Sequence, residues 1–122
     1  MKVRIQGNSI RFRLKEPEVH RFSQTGFVEE SMNLGAGTAL RFRLEAAGNG
    51  SVELQHRANA VTILVPQTLA TDWTGTDRVG FDAAIDLGDG ARLNVLVEKD
   101  WACLDGSEEE NIGSYPNPMT QC

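Results

Sequence analysis

Two copies of one tetrapeptide, Arg11-Phe12-Arg13-Leu14 and Arg41-Phe42-Arg43-Leu44, carry the side chains best suited to chemistry in this 122-residue chain. A guanidinium presents its donors as a planar fork that matches the oxygens of a phosphate or carboxylate. Arginines separated by one residue project from the same side of an extended chain, so each copy offers a pair of forks to an anion. Lys2, Arg4 and Lys15 stand in the same alternating context beside the first copy. Near the other end, Glu98 and Asp100 alternate likewise and could carry one divalent cation through oxygen ligands, as an alternative reading. His20 beside Arg21 and His56 beside Arg57 have no nucleophile or acid pair organised around them, and both are expected at the surface. Cys103 and Cys122 lie 19 positions apart without a CxxC, so neither is expected to be catalytic. No P-loop, G-x-S-x-G or H-E-x-x-H is present, and no cofactor is expected.

The elements that position these residues are strands. Ile10 to Lys15 and Leu40 to Glu45 alternate apolar with charged, as a half-buried strand requires. Met1, Val3 and Ile5 alternate with Lys2, Arg4 and Gln6 in the same way. The three strands are expected to neighbour one another and to share a basic face made of Lys2, Arg4, Arg11, Arg13, Arg41 and Arg43, with Lys15. Adjacent strands lie roughly 4.8 Å apart, close enough for two forks to hold one phosphate. The competing reading is an ordinary solvated face laced with ion pairs, each worth roughly 0–1 kcal/mol.

The chain punctuates itself twice in the same order. Strand 1–6, a Gly7-Asn8 turn and strand 9–15 lead into a helix opened by Glu16-Pro17-Glu18 and closed by Gly26. Extended structure follows over 27–32, a loop over 33–37 and a strand over 38–46. After Gly48-Asn49-Gly50 the pattern repeats: strand 51–57, an Ala58-Asn59 turn, and a strand 61–65 with apolar residues on both faces, expected to be central or covered. A helix from Pro66 carries Leu69 and Trp73, with Trp73 as its anchor on the sheet. Strands 78–86 and 91–98 close the repeat around Gly88-Asp89-Gly90. Two ββαββ-like halves imply an α+β fold with a mainly antiparallel eight-stranded sheet, able to close into a barrel, and two short helices. Domain organisation is expected to be a single α+β domain over 1–104, followed by an acidic, Pro-containing tail over 105–122. Trp101 and Leu104 would dock its beginning on the body.

The net charge of −5 argues against a nucleic-acid partner. It is unevenly spread: residues 1–45 carry eight Lys/Arg against five Asp/Glu, and residues 46–122 carry four against twelve. No apolar run long enough to span a membrane exists, and Met1 to Ile5 reads as a strand without a leader, so a cytoplasmic protein is expected.

A basic barrel interior with a few acids resembles, in architecture, the triphosphate tunnel enzymes. That resemblance implies a metal-dependent phosphohydrolase-like barrel acting on a polyphosphate or nucleotide, with metal on Glu98 and Asp100. The alternating glutamates ending in lysine that mark those enzymes near their N-terminus are replaced here by Lys2-Val3-Arg4-Ile5-Gln6. A closer resemblance is carried by Met1 to Leu14, by Val61 to Pro66, by Trp73 and Val79-Gly80-Phe81, and by Val97-Glu98-Lys99-Asp100-Trp101-Ala102-Cys103-Leu104 with the tail beyond it. These segments resemble an uncharacterised bacterial domain-of-unknown-function family of small soluble proteins, which implies no activity and no catalytic residues. The function expected is therefore non-catalytic: binding of a protein partner or an anionic small molecule through the basic sheet face, without a membrane.

Overall fold

The computed structural model describes residues 1–100. In chain order these form β1 (Lys2–Gln6), β2 (Ser9–Leu14), α1 (Glu16–Thr25), β3 (Phe27–Gly35), β4 (Thr38–Ala46), β5 (Glu53–Arg57), β6 (Ala60–Val65), α2 (Gln67–Gly75), β7 (Gly80–Asp86) and β8 (Arg92–Lys99). Every expected strand and helix is present, and the largest boundary change extends β3 from residue 32 to 35. The expectations for Trp101, Cys103, Leu104, Cys122, the acidic tail and the boundary at 104 fall outside the described residues.

Local chemistry explains the helix ends. The Glu18 carboxylate accepts the Lys15 backbone N–H at 2.9 Å, in the first turn where negative charge is favoured. Gly26 takes φ 86°, a left-handed conformation that costs glycine little, and donates its N–H to Phe22 O at 2.8 Å. Glu18 also accepts the Met1 α-amino group. Burial opposes ionisation of Glu18, but the hydrogen bonds from that amine and the Lys15 N–H, with the positive charges of the amine and Arg21, hold its carboxyl below the ordinary value.

The expected single sheet is corrected: the strands form two mixed four-stranded sheets that do not close into a barrel. Sheet A has the order β1-β2-β8-β7 and sheet B the order β3-β4-β6-β5. Neighbours within each hairpin are antiparallel, whereas β2–β8 and β4–β6 are parallel. The physical cause is the helix in each half, which carries the chain from one sheet to the other. Each sheet therefore joins the hairpin before one helix to the hairpin after the other.

The two ββαββ halves map onto each other within this exchange. Replacing β1, β2, β3 and β4 by β5, β6, β7 and β8 turns the order of sheet A into that of sheet B. The correspondence extends to atoms. Thr25 Oγ1 donates to Arg21 O at 2.8 Å and Thr76 Oγ1 to Asp72 O at 2.7 Å. Asn33 Oδ1 accepts Gly35 N–H at 2.8 Å, and Asp86 Oδ1 accepts Gly88 N–H at 2.9 Å. Gly35-Ala36-Gly37 and Gly88-Asp89-Gly90 all take positive φ.

A single apolar cluster draws on both sheets and both helices. Phe12, Leu14, Leu44, Ile63, Val65, Trp73 and Val97 are fully buried within it. Strand β6 is flanked on both sides, as its apolar sequence predicts. Ile5 departs from expectation: it sits on the core-facing side but remains 60% exposed at the end of β1.

Gly80 is required by close approach rather than by φ. A Cβ there would stand 2.4 Å from Val97 O and 2.9 Å from Glu98 Cβ. The first of these is backbone in a sheet and cannot rotate away. Gly80→Ala is expected to cost about 1–3 kcal/mol in urea unfolding. A loss below about 0.5 kcal/mol would show that β7 and β8 separate more easily than this packing implies.

Candidate functional site

Register decides which of the candidate cations meet. In sheet A, Lys2 pairs with Arg13 and Arg4 with Arg11 across the β1–β2 hairpin. Directly opposed residues share a face, so all four point away from the buried Phe12 and Leu14. The β2–β8 and β7–β8 registers extend these pairs into three rows across the sheet. One row runs Gln6, Ser9, Asn94, Ala84; the next runs Arg4, Arg11, Leu96, Asp82; the third runs Lys2, Arg13, Glu98, Gly80.

Arg41 and Arg43 do not join them. They lie on β4 in sheet B, opposite Ser31 and Glu29, which corrects the expectation of three neighbouring basic strands. Alternation places a side chain on a face of its own strand but says nothing about which sheet the strand enters. Both arginines have local carboxylates: Arg41 Nε lies 3.3 Å from Glu29, and Arg43 Nε lies 2.7 Å from Glu45. The Arg43 guanidinium also stacks 3.8 Å above the Phe27 ring. Lys15 is exposed ahead of α1.

At the centre of the basic hairpin stands Glu98. Its Oε1 accepts Arg11 Nε at 2.7 Å and Arg13 Nε at 2.8 Å. Arg11, Arg13 and Glu98 are mostly buried side chains, 20%, 14% and 15% exposed. Asp100, the other acid proposed for metal, lies 3.7 Å from Lys2 Nζ. The two acids thus hold cationic side chains of the hairpin. Among the described residues no group of three or more His, Cys, Asp or Glu is placed to bind a metal ion. His20 and His56 are exposed, as expected.

Over the first two rows lies a cavity of about 690 Å³. It takes in Arg4 and Arg11 on one side, Leu96 and Ala84 on its floor, Asn94 at one end and Asp82 across the sheet. A smaller hollow of about 120 Å³ lies among Lys2, Arg4, Arg11 and Arg13. Asn94 is held in place: its N–H donates to Asn8 O at 3.0 Å, while Asn8 Nδ2 donates to Arg92 O at 2.5 Å. These bonds tie the β1–β2 turn to β8. Asp82, Asn94 and Leu96 were not singled out from sequence. Their positions beside the arginines depend on the parallel β2–β8 pairing, for which alternation carries no signal.

The equivalent twelve positions of sheet B provide an internal comparison. There the rows are Arg57, Ala60, Arg41, Ser31; Gln55, Thr62, Arg43, Glu29; and Glu53, Leu64, Glu45, Phe27. Sheet B holds three cations against three carboxylates, a balanced face. At these positions sheet A holds four cations against two carboxylates, with every cation on the β1–β2 hairpin and Asp100, just beyond them, beside Lys2. The positions equivalent to Lys2, Arg4, Arg11 and Arg13 are Glu53, Gln55, Thr62 and Leu64, so the shared topology does not demand basic residues there.

No helix among the described residues is long and apolar enough to cross a membrane. Residues 1–119 match the family described as a family of unknown function, DUF7009, and the chain belongs to it. No curated protein and no solved structure matches the chain.

Proposed function

We propose that this member of the DUF7009 family is a cytoplasmic, non-catalytic binding domain that takes an anion on the outward face of sheet A. Arg4 and Lys2 supply adaptable charge at the rim, and Arg11 and Arg13, oriented by Glu98, supply the less mobile forks. The observation that carries this reading is the contrast between equivalent faces: one is charge-balanced, and the other gathers four cations beside a cavity. Sheet stability alone has no need of such a gathering, because like charges on neighbouring strands repel.

A metal-dependent phosphohydrolase has less support. It would need Glu98 and Asp100 released from the hairpin's cations, and the barrel that motivated it is absent.

Inorganic pyrophosphate is the probe that tests the proposal, titrated calorimetrically at low salt. The Lys2→Ala/Arg4→Ala double variant is expected to bind about tenfold more weakly, with stability nearly unchanged because both side chains are exposed. Arg41→Ala is expected to bind as the parent does. Absence of binding to the parent, or equal weakening by Arg41→Ala, would leave only diffuse surface charge.

A further inference from the structure

Resting on the anion reading of the same face, we infer that the ligand is zwitterionic, with an anionic head on the β1–β2 arginines and an ammonium group at its far end on Asp82. The row Arg4, Arg11, Leu96, Asp82 runs straight across all four strands of sheet A, and all four residues line the one cavity. The chemistry changes along that row from cationic through apolar to anionic. Three strand spacings separate the backbones of Arg4 and Asp82, roughly 14 Å. The two ends therefore do not neutralise each other. Arg4 and Asp82 have no ion-pair or hydrogen-bond partner among the described residues. Arg78 pairs instead with Asp72 at 2.9 Å, and Arg92 stands opposite Asp86 in the register, two rows away from Asp82.

An anion alone would use one side of this cavity. Its volume, about 690 Å³, suits a small organic molecule rather than an inorganic ion. Leu96 and Ala84 form an uncharged floor between the ends, suited to a short methylene chain. Asn94, fixed through the Asn8 turn, offers an amide beside that path and adds a donor or an acceptor. The alternative class, a phosphate carried on an uncharged polyol, would also reach Asp82, but through hydroxyl groups that gain less from a carboxylate than an ammonium does. The head is specified as phosphate or carboxylate, since guanidinium forks accept both.

The experiment compares aminoalkyl phosphates of two, four and six carbons with alkyl phosphates of equal length. ω-Amino acids and ω-hydroxyalkyl phosphates of the same lengths are run beside them. The parent protein and Asp82→Asn are titrated calorimetrically. One amino-bearing length is expected to bind the parent about tenfold or more tightly than its alkyl counterpart. Asp82→Asn is expected to abolish that advantage without weakening the binding of alkyl phosphates or pyrophosphate. Whether the phosphate or the amino-acid series wins identifies the head. Equal binding of amino and alkyl ligands, or an advantage for the hydroxyl series, overturns the zwitterion and leaves the anion site standing. If pyrophosphate, every alkyl phosphate and every ω-amino acid all fail to bind, the anion site itself falls and the zwitterion with it.

Discussion

Replacing Trp73 by alanine is expected to lower the unfolding free energy by about 3–5 kcal/mol. That is a large share of the roughly 5–15 kcal/mol that holds a domain together. The indole is fully buried. It meets the Phe22 ring edge-on at 5.9 Å between centroids and the Phe81 ring at 5.5 Å. Its Nε1 donates to Val79 O at 3.1 Å. One side chain thus joins α2 to α1, to β7 and to the segment leading into β7. Because α2 carries the chain from sheet B to sheet A, a cavity at Trp73 weakens the junction on which the exchange of hairpins depends. Trp73→Phe separates the contributions: it keeps an aromatic ring but leaves Val79 O without its donor, for an expected loss of about 1–3 kcal/mol. Urea unfolding of both variants measures this order. If Trp73→Ala lost less than about 1 kcal/mol, the indole would not be the junction of the core.

The halves of the chain were legible because their punctuation is chemical. Gly7-Asn8 and Ala58-Asn59 turn the first hairpin of each half, and Gly88-Asp89-Gly90 turns the last with left-handed residues that few sequences tolerate. Val61 to Val65, with no charged residue on either face, announced a central strand, and β6 lies between β4 and β5. Partner choice was not legible. Period-2 alternation is the same for parallel and antiparallel pairing, and it reads the same in either sheet. Arg11-Phe12-Arg13-Leu14 and Arg41-Phe42-Arg43-Leu44 therefore looked like neighbours, although a helix separates them into different sheets. The repeated tetrapeptide is not even repeated structurally: the equivalent of Arg11 is Thr62, and the equivalent of Arg43 is Leu96.

The same exchange accounts for the parts of the site that sequence reading missed. Glu98 lies between Arg11 and Arg13 only because β8 runs parallel to β2 in a register that sets Arg13 opposite Glu98. Alternation with Asp100 suggested a cation ligand, since two acids spaced for one face are also the pattern of a metal site. Geometry assigns the carboxylate a different task, orienting two guanidinium groups. Its counterpart in sheet B, Glu45, receives Arg43 from its own strand. A glutamate at this position thus serves an arginine in both halves, and the choice of which strand supplies that arginine distinguishes the two faces.

Glu98→Gln is expected to show what that carboxylate contributes. The substitution keeps the shape but leaves Arg11 and Arg13, both largely buried, converging on a neutral amide. Stability at low salt is expected to fall by about 1–3 kcal/mol, the cost of losing a charge-assisted partner. Added salt is expected to return part of this loss by screening the repulsion between the two guanidinium groups. Pyrophosphate is expected to return more of it, because a bound anion supplies the missing negative charge and stabilises the folded state by mass action. Its stabilising effect should therefore be larger in Glu98→Gln than in the parent. Thermal unfolding across a pyrophosphate series, with sodium chloride matched for ionic strength, measures this difference. If pyrophosphate raised both melting temperatures equally, the anion would be bound away from Arg11 and Arg13. If Glu98→Gln were as stable as the parent at low salt, the two arginines would not depend on Glu98 for their placement, and the rim cations Lys2 and Arg4 would have to carry the binding.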